Sequence, residues 1–206
     1  MDWSSILSII MAILVAIVLP LALRRRKKTE PRTREELYQH LREMGVEASL
    51  AERDDNREKI GLGRASGQKS DGIIKVEDKN IDSINVISIS SQYGTNYFID
   101  YLVRSPNIMA ERISKKTRLS KKKSPPLWGK VVAIEWKGDE SLAQSLNFDY
   151  TLEDKLLRSA PKDFRGSIWI FPEPKHGYVR IRIDYALPSS DMFHAIGLIA
   201  RHVKSW

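Results

Sequence analysis

Residues 6–23, ILSIIMAILVAIVLPLAL, contain no charge, and Ser8 is their only polar side chain. With Trp3, Ser4 and Ser5 the stretch reaches 21 residues. A helix rising about 1.5 Å per residue needs roughly 20 residues to cross a bilayer. A cleaved leader would carry its positive charge before the apolar run and small residues after it. Here Asp2 precedes the run, and Arg24, Arg25, Arg26, Lys27 and Lys28 follow it. Residues 1–23 are therefore expected to be a single-pass transmembrane anchor. Trp3 would lie at one interface, with Pro20 near the other end. The basic flank predicts an N-terminus outside the cell membrane and a C-terminal domain in the cytoplasm.

The formal charge of +8 is unevenly spread. Residues 24–34 sum to +6 and residues 104–123 to +7, so the rest of the chain sums to −5. The first basic cluster, a juxtamembrane linker over residues 24–32, is explained as the topology signal. The second lies far from the anchor in sequence and carries Arg112, Lys115, Lys116, Arg118, Lys121, Lys122 and Lys123, with Trp128 just beyond Pro125 and Pro126. Between Arg112 and Lys123 its only large apolar residues are Ile113 and Leu119. Residues 104–126 are accordingly expected to form a basic surface loop. The loop either has no partner, or contacts the anionic inner leaflet, or neutralises nucleic-acid phosphates.

Residues 33–206 read as one cytoplasmic domain. Thr33 and Glu36 have capping-box spacing ahead of a Leu37, Leu41, Met44 stripe, with Gly45 as the stop. The charged stretch 46–59 suggests a second, poorly buried helix. Strands are expected over residues 72–77, 84–90, 95–103, 130–136, 167–171 and 178–185, from β-branched content and alternation. In the last of these Val179, Ile181 and Ile183 face inward, while Arg180 and Arg182 face out. Short helices are expected at 140–146 and 152–158. Ser189 caps a final amphipathic helix buried through Met192, Ile196, Ile199 and Val203. The fold class is α+β: a transmembrane helix, then a largely antiparallel sheet with a C-terminal amphipathic helix. An echo, Ile99-Asp100-Tyr101 and Ile183-Asp184-Tyr185, is what two related ββα halves would leave, though three matching residues also arise by chance.

Chemistry is sparse. No cysteine is present, which excludes disulfides, thiolate metal sites and a thiol nucleophile. Gly61, Gly63 and Gly67 are spaced one residue too long for a dinucleotide fingerprint and follow a charged stretch, so a turn is expected. His194 and His202, eight apart on one helix, are too far apart to share a metal, and neither has a carboxylate at i±4. Asp100, in mid-strand, would need Arg180 or Arg182 as a partner if buried. No catalytic residue, cofactor or metal is predicted. The expected function is that of a membrane-tethered interaction or scaffold domain. Its basic residues Arg112, Lys115, Lys116, Arg118, Lys121, Lys122 and Lys123, with Trp128, would contact anionic lipid headgroups, and its acidic remainder would meet a protein partner. A membrane-anchored nucleic-acid-binding protein is the alternative, and an enzyme with an unrecognised site the third reading.

Overall fold

The computed structural model describes residues 33–63, 67–105, 115–124, 130–159 and 167–205. The expected anchor at 1–23, the linker that follows it, Arg112 and Trp128 lie outside the described residues. Among the described residues no helix is long and apolar enough to cross a membrane.

Among the described residues four helices form where caps and stripes coincide. Thr33 Oγ1 accepts the Glu36 amide at 3.1 Å and opens α1 (Arg34–Glu43). The other half of the predicted capping box is used differently: the Glu36 carboxylate accepts the Tyr185 hydroxyl at 2.9 Å. Asp139, Asp149 and Ser189 likewise open α2 (Glu140–Asn147), α3 (Tyr150–Arg158) and α4 (Ser190–Lys204). Each accepts the amide of the third residue on, satisfying a donor that the helix itself leaves free.

Among the described residues eight strands make one sheet: β1 (Ala48–Leu50), β2 (Gln68–Val76), β3 (Ser83–Ser91), β4 (Gly94–Arg104), β5 (Thr117–Ser124), β6 (Lys130–Lys137), β7 (Trp169–Glu173) and β8 (Tyr178–Asp184). Their order is β1-β2-β3-β4-β8-β7-β5-β6, and every pairing is antiparallel. The α+β expectation holds. The register lays side chains out in rows, because alternate residues point to opposite faces. Ile74, Ile84, Tyr101, Ile181, Ile170 and Thr117 form one row on the first face, and all are buried. The four helices pack on that face in a single core that includes Leu37, Leu41, Leu142, Leu152, Ile196 and Val203. Each such side chain contributes about 1.5–3 kcal/mol by leaving water.

The second face is only partly covered. Ala51 and Ile60 pack there on Ile73, Leu102 and Tyr178. The intervening chain is not the helix that its charge pattern suggested. Residues 48–50 pair with β2, Asp54 adopts a left-handed φ of 68°, and Asp55 caps a one-turn 3-10 helix at Asn56–Lys59. Those local bonds compete with a continuous α-helix.

The basic segment also departs from expectation. Residues 117–124 are strand β5, not loop. Two inward residues suffice: Thr117 and Leu119, each 1% exposed, alternate with Arg118 and Ser120. β6 pairs along one edge of the strand, and β7 pairs with its first residues on the other.

Candidate functional site

One row on the second face carries most of the unusual chemistry. Asn85, Asp100, Arg182, Trp169, Arg118 and Lys137 stand side by side on successive strands. Asp100 is fully buried. Arg182 grips it side-on, Nε donating to one carboxylate oxygen at 2.7 Å and a terminal nitrogen to the other at 2.8 Å. Arg180 donates to the same carboxylate at 3.0 Å and, through Nε, to Glu173 at 2.9 Å. The outward arginines of the sequence reading are thus wrong in one respect. They leave the helix-packed face, but the side chains of Arg180 and Arg182 are only 7% and 13% exposed. Two carboxylates and two guanidinium groups balance, which is what makes their burial tolerable. Asp184, the counterpart of Asp100 in the sequence echo, is exposed opposite Phe98.

Aromatic rings stand on this network. The Arg180 guanidinium lies 4.6 Å from the Phe171 ring centre, and Arg182 lies 5.1 Å from Phe98 and 5.7 Å from Phe171. Farther out, Lys116 lies 5.4 Å from Phe171 and Arg118 5.6 Å from Trp169. Trp169 and Phe171, two residues apart on β7, are half-buried, with centroids 6.0 Å apart and planes within 17° of parallel. None of these rings was selected from sequence. Trp169 lies within the strand expected over residues 167–171, and only the β7–β5 register sets it beside Arg118.

The sequence-predicted cations are divided by the fold. Strand directions follow from the antiparallel chain of pairings: β5 runs parallel to β8 and opposite to β4. The Leu119 amide donates to Ile168 at 2.9 Å, which puts Leu119 level with Ile183 and Ile99. Lys121, Lys122 and Lys123 therefore run toward the sheet end where β4 begins. That end also holds the β3–β4 turn, with Tyr93 91% exposed. Thr33 is there too, because the Tyr185 hydroxyl donates to the Thr33 carbonyl at 2.9 Å while the Tyr185 amide donates to Tyr97 at 2.9 Å. Lys115 and Lys116 lie toward the opposite end, and Arg118 lies between the two groups.

Two other polar clusters have structural explanations. At that opposite end a cleft of about 500 Å³ is lined by Asp55, Arg57, Asp82, Arg104, His176 and Tyr178, among others. Its groups largely satisfy one another: Arg57 donates to Asp55 at 2.6 and 2.9 Å, and the Tyr178 hydroxyl to Asp82 at 3.1 Å. Burial and the neighbouring Asp82 push the Tyr178 hydroxyl above its ordinary pKa.

The second cluster joins Ser145, His202 and Asp149, more than 50 residues apart in sequence at its hydrogen bonds. Ser145 Oγ is 2.7 Å from His202 Nδ1, and His202 Nε2 is 2.8 Å from Asp149. The residue types are those of a hydrolase triad, but Ser145 is exposed inside α2. The amides that follow it belong to helical hydrogen bonds and cannot hold an oxyanion. Asp149 also accepts the Leu152 amide at 2.9 Å and Arg201 at 3.3 Å. Burial opposes its ionised form, yet these bonds and His202 leave its pKa lowered. The trio ties α2, α3 and α4 together.

Acid should loosen these ties. The Arg57 side-chain hydrogen bond outweighs burial and holds Asp55 at a pKa of about 2, against an ordinary 3.8. A carboxyl depressed by folding stabilises the native state above its unfolded pKa, and that contribution is lost as pH falls through the folded value. Thermal melts should therefore show a Tm falling between pH 4 and pH 2, with Asp55→Asn flattening part of the slope. An unchanged slope in that variant would remove Asp55 from the account.

Among the described residues no cluster of His, Cys, Asp and Glu could hold a metal ion. No family model, no curated protein and no solved structure matches this chain.

Proposed function

We propose that this chain is a membrane-tethered binding domain that rests one end of its sheet on the anionic inner leaflet and offers its remaining surface to a protein partner. The observation that carries the reading is the shared end of the sheet. Thr33, where the tether joins the domain, is at the same end as Lys121, Lys122 and Lys123 of β5. β5 is three strand spacings from β4, about 14 Å. Nine linker residues span at most about 32 Å, so a lipid contact at that end is within the reach of such a tether. Tethering turns weak contacts into occupied ones by raising effective concentration. Each lysine near the surface contributes about 1 kcal/mol, and the exposed Tyr93 ring suits the headgroup zone. Trp128, outside the described residues, keeps the lipid contact expected of it from sequence. Lys115 and Lys116 lie at the far end and drop out of the lipid contact.

Sedimentation of residues 33–206 with vesicles tests this. The protein should pellet with vesicles containing phosphatidylserine and stay in solution with neutral ones. Lys122→Ala with Lys123→Ala should weaken binding about thirtyfold, the equivalent of roughly 2 kcal/mol, while Lys115→Ala with Lys116→Ala should change it little. Equal pelleting with both vesicle types, or equal effects of the two pairs, would sink the end-on arrangement.

A further inference from the structure

Away from the lysine end, the part of the second face that Ala51 and Ile60 do not cover carries a separate arrangement. We infer that Trp169 and Phe171, with Lys116 and Arg118, form a binding site for single-stranded nucleic acid: bases stack on the two rings and phosphates meet the two cations.

Charge and geometry converge here. Arg180 and Arg182 are committed to Asp100 and Glu173, so they brace the rings without attracting a ligand. Lys116 and Arg118 are exposed, and among the described residues neither has a carboxylate partner. The outer cations are thus available, and the inner ones hold the platform. Rings and cations alternate in two adjacent rows, Arg182–Trp169–Arg118 and Arg180–Phe171–Lys116, which places a positive group beside each ring. Aromatic rings partly exposed on a sheet accept any base, since every base has a π-face.

The ring spacing selects the strand type. Centroids 6.0 Å apart are nearly twice the 3.4 Å or so between stacked bases in a duplex. Two neighbouring bases reach the two rings only if they are splayed, which an unpaired strand permits and a duplex resists. An anionic bilayer supplies phosphates but nothing planar to stack, and the rings stand in the middle of the face, away from the lysine end. The lipid alternative is therefore an outcome to exclude by experiment.

The test uses the full-length chain in neutral-lipid nanodiscs and a fluorescein-labelled twelve-nucleotide oligo(dT), read by anisotropy at low salt. The single strand should bind more tightly than a twelve-base-pair duplex and quench tryptophan emission. Trp169→Leu should weaken binding at least about fivefold, while Trp169→Phe keeps most of it, a split that a purely structural tryptophan would not produce. Lys116→Ala with Arg118→Ala should lower the salt slope by about 1.4, two phosphates' worth. Lys122→Ala with Lys123→Ala should leave oligonucleotide affinity within about threefold, so failure of the leaflet reading and failure of this one remain separate results. Three results would each overturn the inference. One is no binding of oligo(dT) at low salt. Another is equal affinity for strand and duplex with no loss in Trp169→Leu. The third is loss of oligonucleotide-independent docking to anionic nanodiscs in that variant, which would assign the face to lipid.

Discussion

Asp100→Ala is expected to destabilise the domain by about 3–5 kcal/mol, lowering Tm by roughly 10 °C. Asp100 is fully buried and accepts three hydrogen bonds from Arg180 and Arg182. Removing it strands two guanidinium groups that are themselves largely shielded from water, with Glu173 left to balance one of them. An uncompensated buried charge is what makes such truncations severe, more than the worth of the pair itself. Arg182→Ala should be milder, because Arg180 still partners Asp100. The companion experiment replaces the set by apolar residues of similar volume, Asp100→Leu with Arg182→Met, and should recover much of the loss. Urea unfolding followed by circular dichroism reads all three. If Asp100→Ala proved no worse than a surface substitution, the network would not be buried as described. The same change should also loosen Phe171, so the oligonucleotide site would weaken along with stability.

Gly138→Ala is the second large effect, at about 2–5 kcal/mol from backbone strain and overpacking together. Gly138 lies between β6 and α2 with φ at +142°, a conformation that strains any side chain. A Cβ there would also overlap the Lys116 carbonyl and sit 2.6 Å from the Thr117 Cα. These are backbone atoms at the entry to β5, so no side chain can rotate away, and overpacking adds to the strain. Gly45→Ala is the control: its φ is also positive, at +81°, but nothing lies within 4 Å of the added atom. It should lose only about 1 kcal/mol. Hydrogen exchange of the Gly138 variant should rise first at β5. Equal losses in the two variants would mean that the backbone contact carries no weight.

Legibility followed the range of the interactions. Helix caps at Thr33 and Ser189 were readable because a cap and its amide lie three residues apart. The strand at β8 was readable because Val179, Ile181 and Ile183 alternate. Asp100 was readable as a question, since a charge in an apolar strand needs a counter-charge, and both partners named for it are those found. The lysine-rich segment was misread as a loop because counting apolar residues missed what an inward Thr117 and Leu119 can do once β6 and β7 lie alongside. The helix expected at 46–59 failed through local bonds at Asp55 that a charge pattern does not reveal. Trp169 and Phe171 fall in an expected apolar strand, and no signal within β7 distinguishes a ring beside Arg118 from one under a helix. The Ser145–His202–Asp149 tie was invisible for the same reason, His202 lying more than 50 residues from the other two.

The sequence by itself determined element type, most helix starts, the inward stripes, the uneven charge and the expectation of an N-terminal apolar anchor, because each depends on residues within a turn or two of one another. Only the tertiary structure decided which strands neighbour which. That choice split the basic segment between the tether end and the far end of the sheet, buried Arg180 and Arg182 on Asp100, and set cations beside rings. The physical reason is that strand order and register are global properties: a one-residue slip exchanges the two faces of a strand, and no local pattern records which partner will hold it in place.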